Sequence, residues 1–386
     1  MSVVAARGFT AAGVRSGIKA DGLDLAVVIA DRPAAAAAVF TTNQAAAAPV
    51  LLCREHLSGD AAASAVVLNA GCANAATGTE GMANARRTAQ HMAAAIATQP
   101  NDVLVCSTGP IGPQLPIDRL IAGIDDAVAG ASRDVAAGTA AATAIMTTDS
   151  VPKEAVVRHG GFVVGGMAKG AGMVRPDMAT MLAVITTDAI VGGSTLGDVL
   201  RMAADASFNS LNIDGCESTN DTVILLASGA SGVEPTRHEL ETAVTAVCAD
   251  LAMQMARDAE GASRVVTIDV DGALDAAEAR YLGRLIADSA LVRASFYGGD
   301  VNWGRIIGAL GTAEVTLDMS SIDLAYQGVT VFRGGLGVPH DEAALLAACA
   351  SGDLALHLVL GRGSGRATVV TTDLTPEYVI FNGERS

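Results

Sequence analysis

Between Gly165 and Pro176 an otherwise apolar stretch carries four glycines, Gly165, Gly166, Gly170 and Gly172, and ends on a proline. Glycine weakens the interior of a helix or strand, and proline enters neither without losing a backbone hydrogen bond. The spacing therefore predicts an irregular segment rather than a regular helix or a central strand. Met167, Met173 and Met178 nevertheless call for burial, and a buried loop must find a partner for every backbone N–H and C=O. The segment runs directly into Met181–Thr187, which reads as a strand. Thr180 thus lies at the junction of a strained loop and a buried strand, near the middle of the 386 residues.

Composition narrows the fold around that segment. Hydrophobic residues make up 51% and charged residues 17%, which excludes a disordered chain. Aromatics are only 3%, so the core must be Ala, Val, Leu and Ile packed around small residues. At about 150 residues per domain, the length gives two to three units or one large two-lobed enzyme. The net charge of −16 argues against affinity built on phosphate neutralisation, and so against nucleic acid as a partner. Met1–Ala6 is interrupted by Arg7 and Gly8 before any signal-peptide core develops, and no run approaches the ~18 apolar residues of a membrane span. Cys53, Cys72, Cys106, Cys216, Cys248 and Cys349 are far apart, with no CxxC and no His at metal-ligand spacing. They read as reduced, mostly buried thiols in a cytoplasmic protein without a metal site.

Strands are predicted over Leu23–Ala30, Ala65–Ala70, Val103–Cys106, Met181–Thr187, Thr222–Ala227, Arg264–Val270, Val329–Phe332, Leu354–Leu360 and Arg366–Thr371. Helical periodicity marks Asn84–Ala97, Ile117–Ala129, Leu196–Ala206, Ala276–Ala287 and His340–Ala350. The longest such run is Arg237–Asp258, where Leu240, Val244, Val247, Leu251 and Met255 share a face. Helices and strands do not alternate strictly, and a hairpin is expected around Gly160 and Gly161. The expected fold class is α/β, a layered mixed-sheet sandwich rather than a doubly wound parallel sheet. The run Ala34–Ala38 reads as tight packing, not a flexible tract.

The usual active-site signatures are missing. There is no GxxxxGK[ST] loop, no GxSxG elbow and no HExxH. Gly361, Gly363 and Gly365 have the look of a dinucleotide loop, but a strand follows them, so a hairpin turn is the expectation. No arrangement of the six histidines suggests a triad. If the chain transfers acyl groups, something other than His must supply the base.

The run Met167–Leu182, with its AKGAGM and PDMATML elements, resembles the self-cleavage segment of the ornithine acetyltransferase (ArgJ) family, also called bifunctional glutamate N-acetyltransferases. Further blocks are similar to that family in the same order: Asn69–Gly78, Cys106–Gly109, Ile145–Asp149, Ser218–Thr222, Asp258–Gly261, Asp300–Arg305 and Thr371–Leu374. The resemblance covers nearly the whole chain from about residue 8. It implies the N-terminal-nucleophile (DmpA/ArgJ-like) fold and a precursor that cuts itself between Ala179 and Thr180. Residues 1–179 would form an α chain and 180–386 a β chain, the two staying together and assembling as α2β2, with lobes interleaved across the cut.

It also implies a chemistry that suits Thr180. Its hydroxyl would attack the Ala179 carbonyl in an N→O acyl shift, and ester hydrolysis would free its α-amine. That amine, with a reference pKa of ~7.7–8.0, acts as a base near neutral pH without any histidine. Thr180 then carries the acetyl group from N-acetylornithine to glutamate. The resemblance assigns the oxyanion hole to Thr108 and Gly109, and substrate contacts to Thr147, Lys169, Thr180, Glu260, Asn382 and Ser386. No cofactor is implied, and acetyl-CoA enters only as a second candidate acetyl donor. Taken alone, Lys169 and Glu260 read as solvated surface charges, Thr108–Gly109 as an ordinary strand-to-turn transition, and Asp300–Arg305, with the only Trp, as a packed structural loop.

This chain departs from the family pattern in places. Asp177 stands where many members have an uncharged residue, Cys72 replaces a commoner Asn, Arg264 a commoner Lys, and the tail ends one residue early. Similar PDMAT sequences occur in the branch associated with clavulanic-acid clusters, so a specialised-metabolite role stands beside arginine biosynthesis. Two other readings remain open at this point: an N-terminal-nucleophile amidohydrolase or aminopeptidase, with water as acceptor, and a non-catalytic binding protein of the same fold.

Overall fold

The computed structural model describes residues 2–59, 62–174 and 181–384. In chain order its first nine strands are β1 (Phe9–Val14), β2 (Leu25–Phe40), β3 (Ala62–Ala70), β4 (Val103–Thr108), β5 (Lys153–His159), β6 (Phe162–Lys169), β7 (Leu182–Thr187), β8 (Leu211–Asn212) and β9 (Thr222–Ala227). Helices α1 (Ala48–His56), α2 (Gly78–Ala95), α3 (Ile117–Gly130), α4 (Val135–Ala144), α5 (Gly193–Asp205) and α6 (Arg237–Arg257) lie among them. The chain divides into two units: residues 1–208 with 216–255, and residues 209–215 with 256–386. The 179/180 position falls within the first unit's range, not at a boundary between units.

The first unit is built on an eight-stranded sheet of order β4-β3-β2-β9-β7-β6-β5, with β1 added against β2. Pairs β3–β4 and β7–β9 are parallel and the rest antiparallel, so the sheet is mixed, as the hairpin reading requires. Its strands read as unbroken apolar runs because both faces are covered. On one face Val28, Val66, Leu68, Leu104 and Val184 pack with Ala141, Ala142 and Ile145 at α4 and its end. On the other, Val27, Val67, Val103 and Val105 meet Leu52 of α1, Met92 of α2 and Leu120 of α3. The predicted face of α6 is buried throughout. Ala34–Ala38 lies inside β2, paired with β9 from Ala35 onward, with Ala34 and Ala36 1% exposed.

The glycine-rich segment corrects its own expectation. Gly165 and Gly166 belong to β6, a strand inside the sheet between β7 and β5. The glycines are needed for room. A Cβ on Gly165 would stand 2.4 Å from the carbonyl oxygen of Ser2. One on Gly166 would stand 2.8 Å from Ile185 Cδ1 and 3.0 Å from Val247 Cγ1 of α6. Irregular backbone begins only at Gly170, with φ +152°. Pro176 and Met178 lie outside the described residues.

In the second unit β10 (Val265–Ala273), β11 (Asp323–Tyr326), β12 (Val329–Arg333), β13 (Leu336–Gly337), β14 (Leu354–Val359) and β15 (Gly365–Thr372) join β8 in the order β13-β12-β11-β14-β10-β15-β8. Helices α7 (Ala276–Asp288), α8 (Ala290–Tyr297), α9 (Trp303–Leu310), α10 (Glu342–Cys349) and α11 (Pro376–Gly383) complete it. Ile268, Val270 and Leu358 pack with Leu282 and Ile286 of α7. Residues 361–365 are not the hairpin turn expected. β14 and β15 flank β10 on opposite sides, so this loop crosses the end of β10, with the Arg362 and Gly363 N–H groups donating to the Gly272 carbonyl. The Asp300–Arg305 block, read as a packed loop, opens a helix at Trp303. Asn302 caps α9, and Trp303 packs on Phe332 at 5.4 Å between ring centroids.

Because the obstacle at Gly165 is main chain, a Cβ there cannot be absorbed by a side-chain rotation. Gly165→Ala should lower unfolding stability by ~1–3 kcal/mol in urea melts; an unchanged midpoint would refute the close approach to Ser2.

Candidate active site

Thr108 ends β4, and Gly109 turns the chain away from it. Gly109 has φ +138°, and a Cβ there would stand 2.5 Å from the Cys72 nitrogen, so glycine is what lets Gly71–Ala73 lie against this turn. The Cys72 N–H donates to the Thr108 carbonyl at 3.1 Å and the Ala73 N–H to the Pro110 carbonyl at 3.2 Å. Asn69 braces both sides: its Nδ2 donates to the Cys72 carbonyl at 2.9 Å, and its Oδ1 accepts from the Ser107 hydroxyl at 2.6 Å. Burial pushes the Cys72 thiol up, so it stays protonated beside Thr108.

A second brace comes from the segment before β9. Asn220 Nδ2 donates to the Ala73 carbonyl at 2.6 Å and to the Ser107 carbonyl at 2.9 Å. The next residue, Asp221, accepts the Met181 N–H on Oδ1 at 2.8 Å. The Thr41 N–H reaches the Asp221 carbonyl, and the Thr222 N–H the Met181 carbonyl. Leu182, which opens β7, pairs with Thr222 on one side and Lys169 on the other. Two consecutive side chains therefore fasten the Thr108–Gly109 turn and the residue that follows Thr180 to one short segment. Thr180 itself, with Ala179 and Ser386, lies outside the described residues.

Lys169 closes β6, and it is not the solvated charge that its residue type alone suggests: it is 1% exposed. Its Nζ donates to the Thr147 hydroxyl at 2.6 Å and stands 3.7 Å from Asp149 Oδ2. Asp149 also receives Lys153 Nζ at 2.7 Å, the Gly170 N–H at 2.6 Å and the Thr147 N–H at 3.0 Å. Burial by itself raises this carboxyl, but the two lysines and the Gly170 N–H outweigh it and hold Asp149 at about 2. Asp149 is therefore ionised at neutral pH, and it lies against two buried ammonium groups. Thr108, Gly109, Thr147 and Lys169 all belong to the first unit.

Glu260 and Asn382 belong to the second unit. Glu260 is half-buried in a turn whose next residue, Gly261, has φ +67° and approaches the Tyr378 nitrogen so closely that a Cβ would stand 2.3 Å away. Thr375 ties this turn to α11 by donating to the Gly261 carbonyl at 2.6 Å while capping the Tyr378 N–H at 3.1 Å. Asn382 lies exposed on the last turn of α11, its Nδ2 on the Tyr378 carbonyl. Asp373 accepts from the N–H groups of Ser263 and Arg264, and the buried Arg293 donates to the carbonyls of Thr372 and Asp373. The turn bearing Glu260 and the helix bearing Asn382 are thus one hydrogen-bonded assembly.

The family model described as "ArgJ family" matches residues 10–386. This chain belongs to the ArgJ family. The arginine biosynthesis bifunctional protein ArgJ of Thermobifida fusca is 48% identical, over 100% of both chains. Its namesake in Mycobacterium tuberculosis H37Rv is 46% identical over 100% of this chain and 96% of its own. A crystal structure of ornithine acetyltransferase complexed with ornithine, from Mycobacterium tuberculosis, is 47% identical, covering 45% of this chain and 94% of that one at a TM-score of 0.44.

Reading this ArgJ-family sequence residue by residue gave no role to Asn220, Asp221, Asp149 or Lys153. Two of them carried a visible signal: an Asp and a Lys four apart beside apolar runs invite an ion pair. Asn220 gives none, since an Asn before a strand is ordinary turn chemistry. Among the described residues no three His, Cys, Asp or Glu side chains are grouped to hold a metal ion, and no helix is long and apolar enough to cross a membrane. None of the six cysteines is bonded to another, and only Cys216 is exposed.

Asp149→Asn removes a carboxylate that lies against two buried lysines and should cost ~3–5 kcal/mol at pH 7. A carboxyl held below its unfolded value of ~3.9 contributes stability above that pH and loses it as pH falls toward about 2. The difference between wild type and variant should accordingly narrow below pH 4. Urea unfolding at pH 7, 4 and 2.5 checks this, and a gap independent of pH contradicts it.

Proposed function

We propose that the chain is a self-processing acetyltransferase of arginine biosynthesis, which moves the acetyl group of N-acetylornithine to glutamate through an acetyl-Thr180 intermediate. The observation that carries this reading is the Asn220–Asp221 pair. It holds the Thr108–Gly109 turn and the Met181 N–H to one buried segment, which suits an oxyanion hole built beside a nucleophile at position 180. The names of the relatives, bifunctional proteins of arginine biosynthesis, support the pathway over a specialised-metabolite role.

Processing begins with the Thr180 hydroxyl adding to the Ala179 carbonyl. The peptide bond breaks as the ester forms, and water then releases residues 1–179 with a new carboxylate, leaving 180–386 with a free α-amine. In turnover that amine takes the hydroxyl proton as Thr180 Oγ attacks the acetyl carbonyl. The Thr108 hydroxyl and the Gly109 N–H stabilise the oxyanion; fixed donors of this kind are worth ~3–4 kcal/mol each. Ornithine leaves with the proton, and the amino group of glutamate takes the acetyl in the second half-reaction.

The buried cluster suits an amino-acid substrate. Lys169 and Thr147 offer a donor pair for an α-carboxylate. Glu260 matches a substrate ammonium group, and Asn382 and Ser386 complete the proposed contacts. Acetyl-CoA as a second acetyl donor fits the word bifunctional in the relatives' names. The two chains remain associated as α2β2, in the cytoplasm. The chemistry runs on Thr180 and its own amine, with no added cofactor.

The purified protein should show two chains in place of 38.7 kDa, the second beginning Thr-Met-Leu. Incubation with N-acetylornithine should acetylate Thr180, and labelled glutamate should then leave as N-acetylglutamate. Thr180→Ala should give an intact, folded, inactive chain and Thr180→Ser partial processing. Free acetate as the main product would point instead to a hydrolase, and turnover by the Thr180→Ala protein would remove the nucleophile.

A further inference from the structure

Asp221 is fully buried, yet only half of its carboxyl group is used. Oδ1 accepts the Met181 N–H, whereas Oδ2 is buried and has no hydrogen-bond partner among the described residues. The Ser218 hydroxyl and N–H lie beside the carboxyl and favour its charged form, without reaching Oδ2 at hydrogen-bonding geometry. A buried acceptor left idle is unfavourable, and such atoms concentrate where a ligand or a reacting group completes them. Other buried polar atoms share this state, but Asp221 is the carboxyl whose other oxygen holds the residue next to Thr180.

We propose that Asp221 Oδ2 is the partner of the α-amine that self-cleavage releases on Thr180, which makes Asp221 the positioning residue for the catalytic base. The proposal rests on the function proposed above. In the continuous chain the residue-180 nitrogen is an amide that carries no charge. After the cut it is a primary amine, still joined through Thr180 to the Met181 nitrogen that Asp221 already holds. The Asp221 carboxylate accepts an N–H of the free amine on Oδ2, which leaves the nitrogen lone pair to take the Thr180 hydroxyl proton. The carboxylate thereafter orients the amine and stabilises the cation it becomes each time it takes the Thr180 hydroxyl proton, the role an aspartate plays behind a catalytic histidine.

Electrostatics agree with that order of events. Burial drives the Asp221 carboxyl well above the usual carboxylate range, opposed by the Met181 N–H, by Lys169 on β6 and by Ser218. Among the described residues bearing on it, Lys169 is the charged one; the residue before β7 contributes the Met181 N–H, and the residue after β2 the Thr41 N–H on its carbonyl. Lys169 acts on this carboxyl through space and makes no hydrogen bond to Oδ2. The amine that the cut releases would be the cationic partner bonded to that oxygen.

Asp221→Asn keeps an oxygen for the Met181 N–H and removes the negative charge. It should fold as the wild type does and lose kcat by on the order of 10²-fold. A carboxylate raises the pKa of a neighbouring ammonium, so its loss should move the acid limb of kcat/KM to lower pH, by about one unit. Unchanged kcat overturns the proposal, and so does a lower kcat with an unmoved limb, which marks a merely structural residue. Should the variant remain uncut, a crystal structure of the processed wild-type enzyme decides: Thr180 N within hydrogen-bonding distance of Asp221 Oδ2 supports the pairing, and a water molecule there instead refutes it. A wild-type protein that never exposes Thr180 as an amino terminus refutes the proposed function itself, an outcome distinct from a cut and active enzyme whose amine ignores Asp221.

Discussion

The first unit depends on two neighbouring residues that hold three backbone groups. Asn220 clamps the carbonyls of Ala73 and Ser107, and Asp221 clamps the N–H of Met181. The three groups come from three separate parts of the chain, at residues 73, 107 and 181, and loops carrying them would otherwise drift independently. An amide and a carboxyl differ here in a useful way. The Asn NH2 offers two donors and so joins two carbonyls, whereas the carboxyl offers acceptors and suits an N–H. Exchanging the two residue types would leave the Ala73 and Ser107 carbonyls facing a carboxylate that cannot donate to them, although an amide oxygen at 221 could still accept the Met181 N–H.

The Asp149 cluster supplies the complementary electrostatics. A buried carboxylate between two lysines is costly to desolvate, and such a site is stable only where further hydrogen bonds satisfy the remaining lone pairs. The N–H groups of Thr147 and Gly170 do this, and they fix the ends of the turn and the strand from which Thr147 and Lys169 project. The same bonds that stabilise the ion cluster thus set the geometry of its two outermost donors. In the proposed reaction those two donors are what a carboxylate-bearing substrate meets.

Most of the strands and the longer helices could be read from the sequence because their apolar residues recur at a fixed period, and α6 keeps its predicted face throughout. The failures have separate physical causes. α4 is Val-Ala-Ala-Gly-Thr-Ala-Ala-Ala-Thr-Ala, nearly uniform in polarity, so it shows no periodicity although Ala141 and Ala142 are fully buried. β6 was obscured by glycines that a strand ordinarily avoids; their reason lies in Ser2 and Val247, far away in the sequence. Lys169 and Asp149 each look like surface residues until folding puts them together. The resemblance to a family singled out Thr108, Gly109, Thr147 and Lys169, while the residues that brace them depend on contacts across the sheet that no local pattern encodes.

A core with few aromatics and many glycines is what allows such contacts to form. With small side chains at the crossings, main chain comes close to main chain: Gly109 against Cys72, Gly165 against Ser2, Gly261 against Tyr378. At these separations carbonyls and N–H groups can be bonded directly by short side chains such as Asn69, Asn220 and Thr375, which have few rotamers to lose. A site framed in this way is rigid before any substrate arrives. Rigidity of that kind suits chemistry in which one hydroxyl must meet first its own peptide bond and then an acetyl group, since both carbonyls would have to present their oxygen to the same fixed donors.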